Sequence, residues 1–329
     1  MSKSFTHEAS CNQLRWLPTR VTDSRPDTSH SATSRPLEPE SVIFTRYLYI
    51  KEEVETSLLL SILDKKKDEA FFWGYELYYS GYQVEVLALL SQIYYDFYAR
   101  LNPNLGKFLN ECVVNWDEHR NRDHIIGIII LNMISRKYSL HNFTNRNNYL
   151  LDNAIRYSVC NTSTEYTSPD YTLPEYDAID KKVFIVLNAS EISSYRNKST
   201  ADILPNALLK TACKYTPSSR IQVPSKNHDN NIKDIYYYHW VYYASFSPIW
   251  LERIREFGGV PNNETRKIDF PDDESSDQFY ELYDYEPDEQ PMSVQNKNIP
   301  IQESTPLTWY AFIQKYDTGP TQSFYSICK

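Results

Sequence analysis

The sequence predicts a mainly α protein: an irregular bundle of about five N-terminal helices, with a less regular α-rich C-terminal half. Three observations carry this. Glycine is scarce, 7 in 329 residues, against a usual share of about 7 %, which disfavours glycine-rich phosphate loops and glycine-turned β folds. Apolar residues between positions 47 and 138 recur at three- and four-residue spacing. Aromatic residues make up 15 % of the chain, tyrosine alone contributing 28, and they fall in two dense blocks that suit buried helices.

The N-terminal stretch, residues 1–42, is rich in Ser, Thr, Arg, Pro and Asp, with RPDTSHSATSRPLEPE as its clearest part. So few apolar groups cannot offset ordering entropy, so a disordered or extended arm is expected. Residues 43–138 should form the bundle. Ile50, Val54, Leu58 and Ile62 make one stripe. The run Lys65-Lys66-Lys67 marks a solvated corner, and Asp68 suits the start of the next helix.

That second helix carries FFWGYELYY, residues 71–79. Phe71, Tyr75 and Tyr78 share one face, Ala70, Trp73 and Leu77 another. A helix apolar nearly all round belongs in a core, and Ser80-Gly81 ends it. Val86, Leu90, Ile93 and Phe97 form the third stripe, with Gln92 and Asp96 expected to point away. Asn102-Pro103 stops it. Leu105, Leu109, Cys112 and Trp116 form a fourth stripe, and Ile125, Ile129 and Met133 a fifth.

Residues 139–270 should form an irregular helical region packed on the bundle. The run VFIVL (183–187) fits a buried strand or helix, and Leu204–Tyr215 reads as helix. The second aromatic block, DIYYYHWVYYASF, reads as one helix from about Asp234 to Phe246, broken at Ser247-Pro248. A short helix follows and ends at Gly258-Gly259. Both aromatic blocks are apolar enough to share one core, and contact between them is expected. Residues 271–300 form an acidic aromatic segment, and 301–329 a C-terminal helix and tail.

Charge and motifs narrow the function classes. The net charge of −9 equals the nine acids between Pro271 and Gln290, so the remainder is balanced and gives no reason to expect nucleic-acid binding. Lys210 to Lys233 holds five cations and one aromatic, a weak basic patch. The longest apolar run, IIGIIILNMI, is ten residues, short of the roughly 20 that span a bilayer. The first twenty residues lack an apolar leader. Five scattered cysteines form neither a disulfide framework nor a zinc pattern. No P-loop, GxGxxG, GxSxG or HExxH occurs. His119 and His124 are five apart, off the four-residue spacing of helical zinc ligands. No catalytic residue, metal ligand or cofactor is assigned.

Two buried polar candidates remain. Glu76 lies inside the aromatic helix, where a carboxylate needs a partner or a raised pKa. It is a satisfied structural acid or a general acid–base. His239 sits among aromatics with the same two readings. The acidic segment has three: a solvated stretch, a cation site lacking the glycine and distal glutamate of a calcium loop, or an interaction motif. In the last, Asp272, Asp273, Glu274, Phe279, Tyr280, Tyr283 and Tyr285 would meet a basic protein partner.

Two blocks resemble an uncharacterised protein family of large nucleocytoplasmic (giant) DNA viruses. They are KKKDEAFFWGYELYYSG with the helix after it, and SPIWLERIREFGGVPNNETRKIDF running on through FYELYDYEPDEQP. The resemblance implies a protein made in host cytoplasm during infection, in the virion or the virus factory. It brings no activity or catalytic residue with it. The expectation is therefore a non-enzymatic interaction or scaffold protein. An enzyme assembled around Glu76 and His239, or a nucleic-acid accessory protein, are the alternatives.

Overall fold

The computed structural model describes residues 42–119, 122–146, 183, 187–197, 203–218, 229–299 and 309–317. The expected N-terminal arm, most of VFIVL, the stretch 147–182 and most of the tail lie outside them. What is described is mainly α, as the glycine scarcity and periodicity predict.

The chain enters through a tight turn, Phe44 to Ile50, closed by an antiparallel bridge between those two residues. Thr45 N donates to Tyr49 O at 2.8 Å, and Leu48 takes a left-handed φ of 60° to make the reversal. The turn is almost wholly buried. Helices α1 (Lys51–Leu63), α2 (Lys67–Tyr79), α3 (Gln83–Ile93), α4 (Pro103–Val114) and α5 (Arg122–Ile134) follow. Pro103 begins α4, where its missing N–H costs nothing.

Helix α2 is the centre of the bundle, lying along α1 on one side and α5 on the other. Two glycines allow the close α2–α5 approach. A Cβ on Gly74 would lie 2.5 Å from Ile130 Cδ1, and one on Gly127 would collide with the Tyr75 hydroxyl. Gly81 ends α2 in the left-handed region, φ 96°.

Lys65 and Lys66 are exposed, as expected of a solvated corner, and Lys65 Nζ also donates to Tyr98 Oη (3.1 Å), Met133 O (3.1 Å) and Arg136 O (2.6 Å). A cation thereby caps carbonyls at the C-terminal end of α5. One expectation needs correction in this half: Asp96 does not point away. After Ile93 the helix widens into a π turn, Tyr94–Tyr98, in which Ala99 N reaches back to Tyr94 O. The inserted residue rotates the following side chains, and Asp96 turns inward.

The C-terminal half contains α6 (His141–Arg146), α7 (Ala189–Ser193), α8 (Pro205–Ala212), α9 (Asp229–Tyr238), α10 (Trp240–Ala244) and α11 (Pro248–Glu256). A hairpin of β1 (Val260–Asn262) and β2 (Lys267–Asp269) follows, then α12 (Asp273–Tyr283), α13 (Met292–Asn298) and α14 (Trp309–Tyr316). The helix expected over 234–246 is broken at His239, whose backbone leaves the helical region. Ser247-Pro248 breaks the chain as expected.

One hydrophobic cluster holds both aromatic blocks. They are joined through the entry turn: Tyr49 packs edge-on against Phe72 and Trp73 at 5.9 and 5.1 Å, and Phe44 against Tyr236 at 6.0 Å. No helix among the described residues is long and apolar enough to cross a membrane.

Candidate functional site

The densest polar chemistry in the interior surrounds Glu76, on the side of α2 that faces the entry turn. Glu76 is fully buried. Its Oε2 accepts from Arg46 Nε at 2.9 Å, and its Oε1 from the Tyr47 backbone N–H at 3.2 Å. Burying either charge alone would cost several kcal/mol, so each requires the other. The Arg46 backbone N–H donates to Ser80 Oγ (2.9 Å), whose hydroxyl donates to the Glu76 carbonyl (2.6 Å). Both ends of α2's last turn are thereby tied to one residue of the entry turn.

The C-terminal half reaches the same turn. Trp250 Nε1 donates to Thr45 O at 3.1 Å, and Asn298 Nδ2 to Tyr47 O at 2.6 Å. The Cys213 thiol lies 3.7 Å from both Tyr47 O and Asn298 Oδ1. Burial, and next the Glu76 charge, push that thiol up to about 12, which leaves it protonated and inert at neutral pH. Burial also pushes the Tyr49 hydroxyl well up; it donates to Tyr215 O at 2.9 Å.

Outside this knot lies a shallow cleft enclosing about 20 Å³, lined by Arg46, Tyr47, Phe72, Tyr195, Arg196 and Lys214, with Ser194, Thr211 and Ala212 completing the wall. Arg46 forms its floor, and the other two cations stand on its rim. That space holds a water-sized group and no drug-sized ligand.

The sequence-derived candidates separate. Glu76 is buried and paired, the structural reading. His239 is only half-buried, not a core residue, and its Nδ1 lies 3.3 Å from Arg266 O at the break between α9 and α10. No contact joins it to Glu76 among the described residues.

The acidic segment folds as α12. Asp272 is its N-cap, accepting from Ser275 N at 2.8 Å, and that bond holds its carboxyl below the ordinary range. Asp273 and Glu274 occupy the first turn, where the helix dipole favours acids. Two of the proposed interface aromatics face inward instead. Phe279 is fully buried against Phe257 and Phe270, and Tyr285 is stacked on Trp240 at 5.6 Å and set against Trp250. Tyr283 is half-buried. Tyr280, 37 % exposed, remains on the surface, as does Leu282, 41 % exposed, on another side of the helix. Asp273, Glu274, Asp277 and Glu281 are exposed, and no Lys or Arg pairs with them among the described residues. No group of His, Cys, Asp and Glu among those residues is placed to hold a metal ion.

Arg46, Cys213 and Asn298 escaped sequence reading. Arg46 alone left a signal, as the one charged residue in VIFTRYLYI. Compared with known proteins, the chain matches no family model, no curated protein and no solved structure.

Proposed function

We propose that the protein is a non-enzymatic interaction or scaffold protein whose partner is a basic protein surface, held by the outer face of α12. One observation carries this reading: α12 is pinned from beneath by Phe279, while Asp273, Glu274, Asp277 and Glu281 face solvent without a cationic neighbour among the described residues. Ordering like charges on one surface costs self-repulsion, which a cationic partner relieves. Tyr280 adds apolar area at the edge of that charge. The commitment of Glu76 to Arg46 supports the same reading, because it removes the interior carboxylate from acid–base work. In a virus assembling in host cytoplasm, such a surface would join this chain to other virion or factory proteins.

The test is purification of the tagged chain from producing cells after nuclease digestion. A stoichiometric protein partner is expected, retained through nuclease and lost when Asp273, Glu274, Asp277 and Glu281 are all changed to Lys. A bare monomer, or a partner indifferent to those four changes, would overturn the reading.

A further inference from the structure

The corner where the π turn runs into α4 carries cations that its own acids do not balance. Arg100 and Lys137 are exposed, as is Lys107 on the outer face of α4. None of the three pairs with a carboxylate among the described residues. Hydrogen bonds bring their segments together: Asn102 Nδ2 donates to Lys137 O at 2.9 Å, Ser139 N to Phe97 O at 2.7 Å, and Asn142 Nδ2 to Tyr95 O at 3.0 Å. His141 of α6 lies near enough to Arg100 that burial, and next that charge, lower its pKa. The nearby acids are mostly engaged. Asp96 holds Arg146 and Asp64 holds Lys315, while Glu111, one turn on from Lys107, offsets only part of the charge. Tyr95 is 50 % exposed, and its hydroxyl donates to Asn110 Oδ1 at 3.0 Å, one turn from Lys107.

This surface, cationic with one exposed ring, is the charge complement of α12, which presents Asp273, Glu274, Asp277 and Glu281 with Tyr280 at their edge. Among the described residues no hydrogen bond, ion pair or ring contact joins the two. Helix α12 rests on α8 and on Phe257 and Phe270, and the corner is built from the π turn, α4 and α6. A long nucleic-acid strand suits the corner poorly, because a chain of net charge −9 repels a polyanion.

We propose that the basic corner at Arg100, Lys107 and Lys137 docks the acidic outer face of α12 on a second copy of this chain, so that molecules join head to tail. The inference rests on the reading of α12 as a docking surface, and it names the basic protein which that surface meets. Contact between unlike faces is a heterologous interface, which repeats as a ring or a filament. Each copy then relieves the like-charge repulsion of both its faces, and a scaffold grows from one kind of chain.

Sedimentation velocity of the purified full chain tests it. At an ionic strength of about 0.05 M the chain should associate as its concentration rises, and at about 0.5 M that association should weaken at least tenfold, because exposed charges are screened. One variant carries Arg100→Glu, Lys107→Glu and Lys137→Glu; another carries Asp273→Lys, Glu274→Lys, Asp277→Lys and Glu281→Lys. Each should stay monomeric, and an equimolar mixture of the two should associate again. A control with Lys233→Glu, Arg255→Glu and Lys267→Glu has the charge change of the first variant and should associate like the parent. All these side chains are exposed, and circular dichroism checks each fold.

A parent that is monomeric at every concentration, association indifferent to the corner variant, or equal loss in the control would each overturn the proposal. Association that needs α12 but not the corner leaves the acidic face as a docking surface for another protein. A partner captured from producing cells by α12, when the purified chain is monomeric, does the same, so the two readings fail separately. Binding of a single-stranded oligonucleotide to the parent and not to the corner variant would assign the corner to phosphodiesters and also overturn the proposal.

Discussion

At the scale of residues, Glu76 shows how one buried charge decides between a functional and a structural role. Its carboxylate accepts from a guanidinium and from a backbone amide, so both oxygens are engaged and water has no access. Removing one member of such a pair leaves the other charged and buried, which typically costs about 3–5 kcal/mol. Glu76→Ala is expected to lose about that much, read as a fall in the urea midpoint. Replacing both Arg46 and Glu76 with apolar residues should recover part of the loss. A Glu76→Ala protein as stable as the parent would show that Arg46 is compensated elsewhere. The sequence made Glu76 legible as a buried acid needing a partner, because it interrupts an apolar run. It could not name Arg46, thirty positions away, because that pairing follows from how the entry turn folds back on α2.

At the scale of elements, the π turn between Tyr94 and Tyr98 accounts for the most specific error of periodic reading. A 3.6-residue repeat carried through Ile93 places Asp96 with Gln92 on the solvent side, and one inserted residue turns it into the protein. There Asp96 accepts from Gln92 Nε2 at 3.0 Å and from Arg146 Nη2 at 2.5 Å. Burial raises its pKa, an effect that outweighs the lowering by Gln92 and Arg146. The consequence for stability has a definite sign. The unfolded chain ionises first, near the ordinary Asp value of about 3.9. Asp96 therefore favours the folded state below that pH, and the advantage is lost as pH rises through its native pKa. Asn at this position does not titrate. The stability of the parent relative to Asp96→Asn should be greatest at the acidic end of the carboxylate range and decline toward neutrality. Urea midpoints of the two proteins across that range measure it, and a gap that widens with pH would refute the assignment. The stripe of α4 was legible because it is a regular helix with one buried side, and those of α1 and α5 because their spaced apolar residues lie in regular helices that are buried on most sides. The π turn and the break at His239 were not, because both are backbone hydrogen-bond shifts that leave side-chain spacing almost unchanged. The inward turn of Phe279 and Tyr285 was hidden for another reason: alternating acids and aromatics does not say which set faces the core.

At the scale of the whole molecule, the entry turn is what makes two halves one structure. Thr45 and Tyr47 offer their carbonyls to Trp250 and Asn298, while Arg46 and Tyr47 hold Glu76 of α2. Seven residues thus satisfy polar groups from the bundle and from the C-terminal half, and Phe44 and Tyr49 add ring contacts to each, beside direct ones such as Phe72 to Tyr215 at 5.3 Å and Phe97 to Phe312 at 6.3 Å. If those ties set the cooperativity, the halves unfold together, because neither half can keep its buried polar groups paired without the turn. Asn298→Ala isolates the point. It removes the shorter of two donors to Tyr47 O, the Cys213 thiol being the other, at a cost of about 1 kcal/mol. Although the change lies in α13, amide hydrogen exchange should accelerate in α2 as well as in α11 and α13, with a single unfolding transition retained. Acceleration confined to α11 and α13, or a second transition in the variant, would mean that the halves are separate folding units that merely share a surface.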